Sequence, residues 1–136
     1  MVKMTVRYLG GLRCEAVHGP SQTTIQTDAP VDNMGKGEFF SPTDLVATAL
    51  VGCILTTMGI VAQRNGLSLE RLWAEVEKDM VKVPERRIGA LRVTVHMPNT
   101  LTAEDRRKLE SAGHHCPVHK SLHPDIDAPV TFVYDA

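Results

Sequence analysis

From Leu45 to Ala62 the chain carries no charged residue. A run of that length is too long for one strand, and as a helix it is apolar around nearly its whole circumference. Ser41-Pro42-Thr43-Asp44 marks its start: Ser41 can act as N-cap, Pro42 suits the first helical position, and Asp44 can reach back to complete the cap. Gly66 reads as the C-cap. A bilayer span needs about 20 apolar residues. This run is slightly shorter, is interrupted by Thr48, Thr56 and Thr57, and lies between segments that read as strands. The expectation is a central helix buried on all sides inside a folded body. Gly52 and Gly59, two turns apart on one face, would let another backbone approach closely. In a chain of 136 residues such a helix is wrapped more easily with a second subunit, so a homodimer is expected.

Around that helix the pattern switches to alternation. Val2, Met4, Val6 and Tyr8 alternate with Lys3, Thr5 and Arg7, which predicts a strand with one buried face. The Gly10-Gly11 turn returns the chain through residues 12–18, and residues 23–28 predict a third strand. After the helix, Leu72, Ala74 and Val76 define one strand and Leu91, Val93, Val95 and Met97 another, joined through the charged stretch 79–87. Residues 102–112 open a polar-faced helix, Cys116-Pro117 begins a short one, and Val130, Phe132 and Tyr134 mark a last strand. The order predicts a single α+β domain over residues 1–136 with an antiparallel sheet.

Charge narrows the function. The formal net charge is −1, with no long basic run, and aromatic residues make up only 4%. Neither nucleic acid nor an anionic membrane is favoured as a partner. The N-terminus alternates and carries charge, unlike a secretory signal, so a cytoplasmic location is the expectation. Three cysteines there suggest reactive, metal-binding or simply buried thiols, not a disulfide scaffold.

The three differ. Cys53 falls near the middle of the apolar helix, where the helix dipole does little for a thiolate. Core filling is one reading of it; reactivity would require a cation brought by tertiary structure, to pull its pKa below ~8.5. Cys116 precedes Pro117, which puts it at or near an N-cap where unpaired N–H groups favour a thiolate, with His114, His115, His119 and Lys120 nearby. A surface Cys at a turn is the plain alternative. Cys14, between Arg13 and Glu15, reads as core filler. Arg13 is either an ordinary solvated arginine or the fixed cation that a buried thiol needs. Cys116 and His119 could share one Zn²⁺, but no second ligand pair completes a four-ligand site, and no metal is expected. No Ser-His-Asp order, P-loop or dinucleotide fingerprint is present.

Read together, Ser41-Pro42-Thr43-Asp44-Leu45, the stretch Leu45-Val46-Ala47-Thr48-Ala49-Leu50-Val51-Gly52-Cys53, and Cys116-Pro117-Val118 after a polar helix resemble the OsmC/Ohr family over nearly the whole chain. The resemblance implies an intertwined homodimer with the long helices at its centre. It implies Cys53 as the peroxidatic cysteine, Cys116 as the resolving one and Arg13 as the catalytic arginine, displaced by one residue from the Gly-Gly-Arg arrangement of the Ohr branch. That branch places a Glu directly after the Pro that opens the helix, to hold the arginine. Here the position is Thr43. Asp44 points elsewhere around the helix, which leaves Glu38 or Glu15 as the expected charge partner of Arg13.

The implied activity is thiol-dependent reduction of an organic or hydrogen peroxide, with Val46, Leu50 and Val51 as apolar pocket walls. An external dithiol serves as reductant, with no bound cofactor. The rival expectation is a non-enzymatic protein of the same fold that binds a small apolar ligand at the dimer interface, favoured by the Thr43 departure.

Overall fold

The computed structural model describes residues 1–136, which divide into two compact units, Met1–Val46 and Ala47–Ala136. The first unit holds an antiparallel meander of β1 (Met4–Gly10), β2 (Arg13–His18) and β3 (Thr24–Asp28). Gly10 and Gly11 turn β1 into β2 at φ of +84° and +61°, in the left-handed region that a tight turn requires and Gly adopts freely. The first turns of α1 (Pro42–Arg64) complete this unit.

The second unit takes the rest of α1, then β4 (Trp73–Val81), β5 (Arg87–His96), α2 (Ala103–Gly113), α3 (Pro117–Ser121) and β6 (Val130–Val133). Strands β4 and β5 pair antiparallel, whereas β5 and β6 run parallel, so this sheet is mixed and not purely antiparallel as expected. The reason is topological: α2 and α3 intervene between β5 and β6 and form the crossover that a parallel pair needs. The connection between β4 and β5 is shorter than the sequence pattern implied. Asp79, Met80 and Val81 belong to β4, and Arg87 already to β5. A register shift leaves Gly89 unpaired between Ala90 and Ile88. A Cβ there would lie 2.5 Å from Val81 Cγ1, so the close approach requires glycine.

Both ends of α1 follow local rules. The Ser41 hydroxyl accepts from the Asp44 N–H at 3.0 Å while Asp44 Oδ2 accepts from the Ser41 N–H at 2.9 Å, a reciprocal capping box. At the other end the Leu67 N–H reaches the Ala62 carbonyl and the Gly66 N–H that of Gln63, the paired bonds of a Schellman motif, with Gly66 at φ +64°.

Two expectations about burial are not met within the single chain. Within the chain α1 is not wrapped on all sides: its buried residues are Ala47, Leu50, Ile54, Met58 and Ala62, a single stripe at helical spacing. Nothing in the chain approaches the Cβ positions of Gly52 or Gly59. Likewise β1 has no buried face, and Met4, Val6 and Tyr8 are all exposed. In both places the sequence has the apolar pattern of a covered surface, but this chain does not supply the cover. By length and composition α1 could cross a membrane, yet its buried stripe packs on α2, where Gly113 sits against Ile54 and Met58.

Candidate active site

Two clusters of chemistry stand out, one in each unit. In the second unit α1 carries Cys53 and the N-terminus of α3 carries Cys116. The packing of the C-terminal end of α2 on α1 and on Phe132 of β6 leads the chain from α2 into α3 beside the α1 stripe. Cys116 is the N-cap of α3, with extended backbone (φ −78°, ψ 142°) and Pro117 next to it. Its Sγ accepts from the His119 N–H at 3.3 Å. It is fully buried, whereas Cys53 is half-buried, and no disulfide joins them.

The two thiols interact. Burial pushes the Cys116 thiol up from its ordinary value; the His119 N–H works against this, and the hydrogen bond and charge of Cys53 push it further up. The buried Cys116 therefore keeps its proton at neutral pH. Thr57, one turn beyond Cys53, donates its hydroxyl to the Cys53 carbonyl at 2.8 Å, a common way of satisfying a threonine inside an apolar helix.

In the first unit the register of β2 on β3 places Arg13 directly opposite Asp28. Arg13 Nε donates to Asp28 Oδ1 at 2.7 Å and Nη2 to Oδ2 at 2.9 Å. Asp28 is 1% exposed. The Glu38 N–H also donates to its Oδ2, at 3.0 Å. The Glu38 carboxylate lies 3.2 Å from Arg13 Nη2, and the guanidinium stands 4.6 Å from the centroid of the Phe39 ring. The guanidinium beside Asp28 holds that carboxyl below the usual carboxylate range, and Asp28 in turn holds Arg13 more firmly charged.

Of the two acids expected beside Arg13, Glu38 is a partner and Glu15 is not; the principal partner is Asp28, which sequence reasoning missed. An acid at the end of a Thr-rich strand reads as a surface residue, and only the cross-strand register reveals the pair. Cys14, next to Arg13, stands opposite Tyr8 and Thr27 in the ladder and is half-buried. Of the expected pocket walls, Val46 and Val51 are half-buried, while Leu50 is fully buried as part of the core stripe. A cavity of about 220 Å³ lies elsewhere in the second unit, lined by residues that include Ser68, Arg71, Asn99 and Thr100. No three His, Cys, Asp or Glu side chains converge in a way that could hold a metal ion, and it is the His119 backbone N–H that reaches Cys116 Sγ.

Fold and site together define an α+β protein with an unbridged two-thiol site. A family model described as OsmC-like protein matches residues 35–130, and the chain belongs to that family. A crystal structure from Psychrobacter arcticus 273-4 is 41% identical, with a TM-score of 0.91 over 98% of this chain and 96% of that one. Its name assigns it provisionally to osmotic stress and detoxification. The organic hydroperoxide resistance protein OsmC of Legionella pneumophila has the same fold, with a TM-score of 0.77, 18% identity, and coverage of 97% and 96% of the two chains. An uncharacterised Acinetobacter baylyi protein is 24% identical over 93% of this chain and 90% of its own length.

Proposed function

We propose that the protein is a cytoplasmic, thiol-dependent hydroperoxide reductase that works as a homodimer in defence against oxidative stress. The observation that carries the reading is the interacting pair of Cys53 and Cys116, in which the more exposed sulfur lies on the apolar helix and the fully buried one keeps its proton. Cys53 attacks as the thiolate, with Arg13 of the same or the partner chain as its cation. A bond forms between Sγ and the terminal peroxide oxygen as the O–O bond breaks. The peroxide is reduced by two electrons, the leaving alkoxide takes a proton to become the alcohol, and Cys53 becomes a sulfenic acid. Cys116 then attacks that sulfur. The S–S bond forms, and the sulfenic hydroxyl leaves as water with the Cys116 proton. An external dithiol restores both thiols by exchange. The half-buried Val46 and Val51 near Cys53 along the helix favour an organic peroxide over hydrogen peroxide.

The homodimer is supported by apolar surface on two elements: Met4, Val6 and Tyr8 on β1, and Ile60 with the open Gly52 and Gly59 on α1. The non-enzymatic reading rested on the missing Glu at position 43. Its ground is weakened, because Arg13 has two carboxylates from other positions.

The test is to add one equivalent of cumene hydroperoxide to the reduced protein and map its thiols by mass spectrometry. A Cys53–Cys116 disulfide is expected. Two free thiols after minutes would end this reading and leave ligand binding in its place.

A further inference from the structure

The cavity of about 220 Å³ in the second unit has neither thiol among its lining residues. Three pieces of chain form it. The loop from α1 to β4 supplies Ser68, Glu70 and Arg71, the link from β5 to α2 supplies Pro98, Asn99 and Thr100, and Ala136 forms the third side. Backbone bonds fasten the last two pieces together. The Ala136 N–H donates to the Met97 carbonyl at 3.1 Å, and the Asn99 N–H donates to the Ala136 carbonyl at 3.3 Å. The Asn99 carbonyl accepts from Arg106 Nη2 at 3.5 Å. Both main-chain groups of Asn99 are thus engaged, and its side-chain amide is left for the cavity.

The loop carries the sharper observation. Leu69 to Leu72 form a turn closed by the Leu72 N–H on the Leu69 carbonyl at 3.1 Å. Its third residue, Arg71, has a φ of +67°, in the region that glycine favours at this position of a turn. Arg71 is the only non-glycine residue of Ala47–Ala136 at positive φ. A glycine would serve the turn with less strain, so the turn is not what calls for an arginine. An ion pair is not the reason either. Glu70 and Arg71 are neighbours in sequence, yet neither takes part in an ion pair within the chain. Local strain of this kind is characteristic of side chains held for a ligand.

The lining defines the chemistry of that ligand. A guanidinium presents a planar fork that matches a carboxylate. Glu70 sets the opposite charge one residue away and suits an ammonium. Ser68 and Thr100 add hydroxyls and Asn99 adds an amide, so the walls are mostly polar. The volume is below the range of about 300–1,000 Å³ that drug-sized ligands occupy. We propose that this cavity binds a small polar zwitterion of amino-acid size, with its carboxylate on Arg71 and its ammonium on Glu70. The site goes beyond the peroxidase reading and does not depend on it.

The probe is L-glutamine at millimolar concentration, added to the full chain. Butyrate carries the carboxylate alone and butylamine the ammonium alone. Binding is read by isothermal titration calorimetry and by the thermal midpoint. L-Glutamine is expected to raise the midpoint, as a ligand of the folded state does. It should bind about tenfold or more tightly than either single-charge probe, the scale of one charged hydrogen-bonding contact.

Arg71→Gly separates site from scaffold, because its two expected effects have opposite signs. It should lose about tenfold or more in affinity for L-glutamine. Its midpoint without ligand should equal or exceed that of wild type, since glycine adopts positive φ freely. Glu70→Gln should weaken L-glutamine binding on the same scale and leave the unliganded midpoint unchanged. A wild type that gives neither heat nor a midpoint rise with L-glutamine overturns the proposal. Butyrate binding as tightly as L-glutamine overturns it as well, because Glu70 then has no part in recognition. An Arg71→Gly variant that melts below wild type and keeps its affinity would show Arg71 to be structural and end the proposal.

Discussion

The two units of this chain are held by opposite means. In Ala47–Ala136 the core is apolar: Leu50, Ile54 and Met58 of α1, Leu91, Val93 and Val95 of β5 and Leu109 of α2 are among its fully buried residues. In Met1–Val46 the only buried residues are Asp28 and Ser41, both polar, and both serve as hydrogen-bond anchors. An apolar core suits the keeping of a thiol out of water. A small unit built on hydrogen bonds and one buried ion pair suits the aiming of a side chain, but it has little means of holding itself together. Met4, Val6 and Tyr8 stand exposed on β1, an apolar surface that the proposed homodimer would cover.

The largest expected effect tests whether the chemistry lies in the apolar unit. Cys53→Ser should abolish peroxide consumption, and Cys116→Ser should allow one turnover and then over-oxidise Cys53 to the sulfinic acid, seen by intact mass. Full steady-state consumption by Cys53→Ser would break the comparison at its root.

The next effect contrasts the two cores. Leu50→Ala should cost about 2–5 kcal/mol in urea unfolding, the range for a buried leucine. Ile25→Ala, at an exposed position on β3, should stay within about 0.5 kcal/mol. A larger cost at Ile25 that depends on protein concentration would show the first unit sheltered by a partner.

Acid should act on the first unit first. The folded-state pKa of Asp28 is depressed, so its contribution to stability is complete above the ordinary carboxylate value of 3.8 and is lost as pH falls through the lower folded value. Tyr8 fluorescence and far-UV circular dichroism should show the first unit loosening below that point. Asp28→Asn, if it folds, should lack this acid limb. A local effect falls at the helix cap: Ser41→Ala should cost about 1 kcal/mol, read as a lower thermal midpoint.

What could be read from sequence divides along the same line. The capping box, the Gly66 stop and the Cys116-Pro117 cap are set by neighbours a few residues apart, and local rules found all three. The strands were placed by alternation, but not the parallel pairing of β6, because pairing direction is a property of the crossover. The all-apolar α1 reads as a helix that wants cover on every side, and the chain itself covers one stripe of it; a sequence shows that a face wants cover, not which molecule gives it. Asp28 was invisible for a third reason. Its role exists only in the register between strands, and Thr43 directed attention to acids near the helix start, of which Glu38 alone is a partner of Arg13.

The cap on α3 has a consequence for how tightly this protein would hold its oxidised form. The sulfur that receives the His119 N–H is the one that would enter the disulfide, and a disulfide sulfur is a poorer acceptor than a thiol or thiolate. Oxidation would loosen the first turn of α3 and reduction would restore it. A cap is worth at most about 1 kcal/mol here, which for a two-electron couple is about 20 mV toward the reduced state. Under the proposed reaction the helix would act as a weak spring loaded by turnover, and amide exchange at His119 would serve as its gauge.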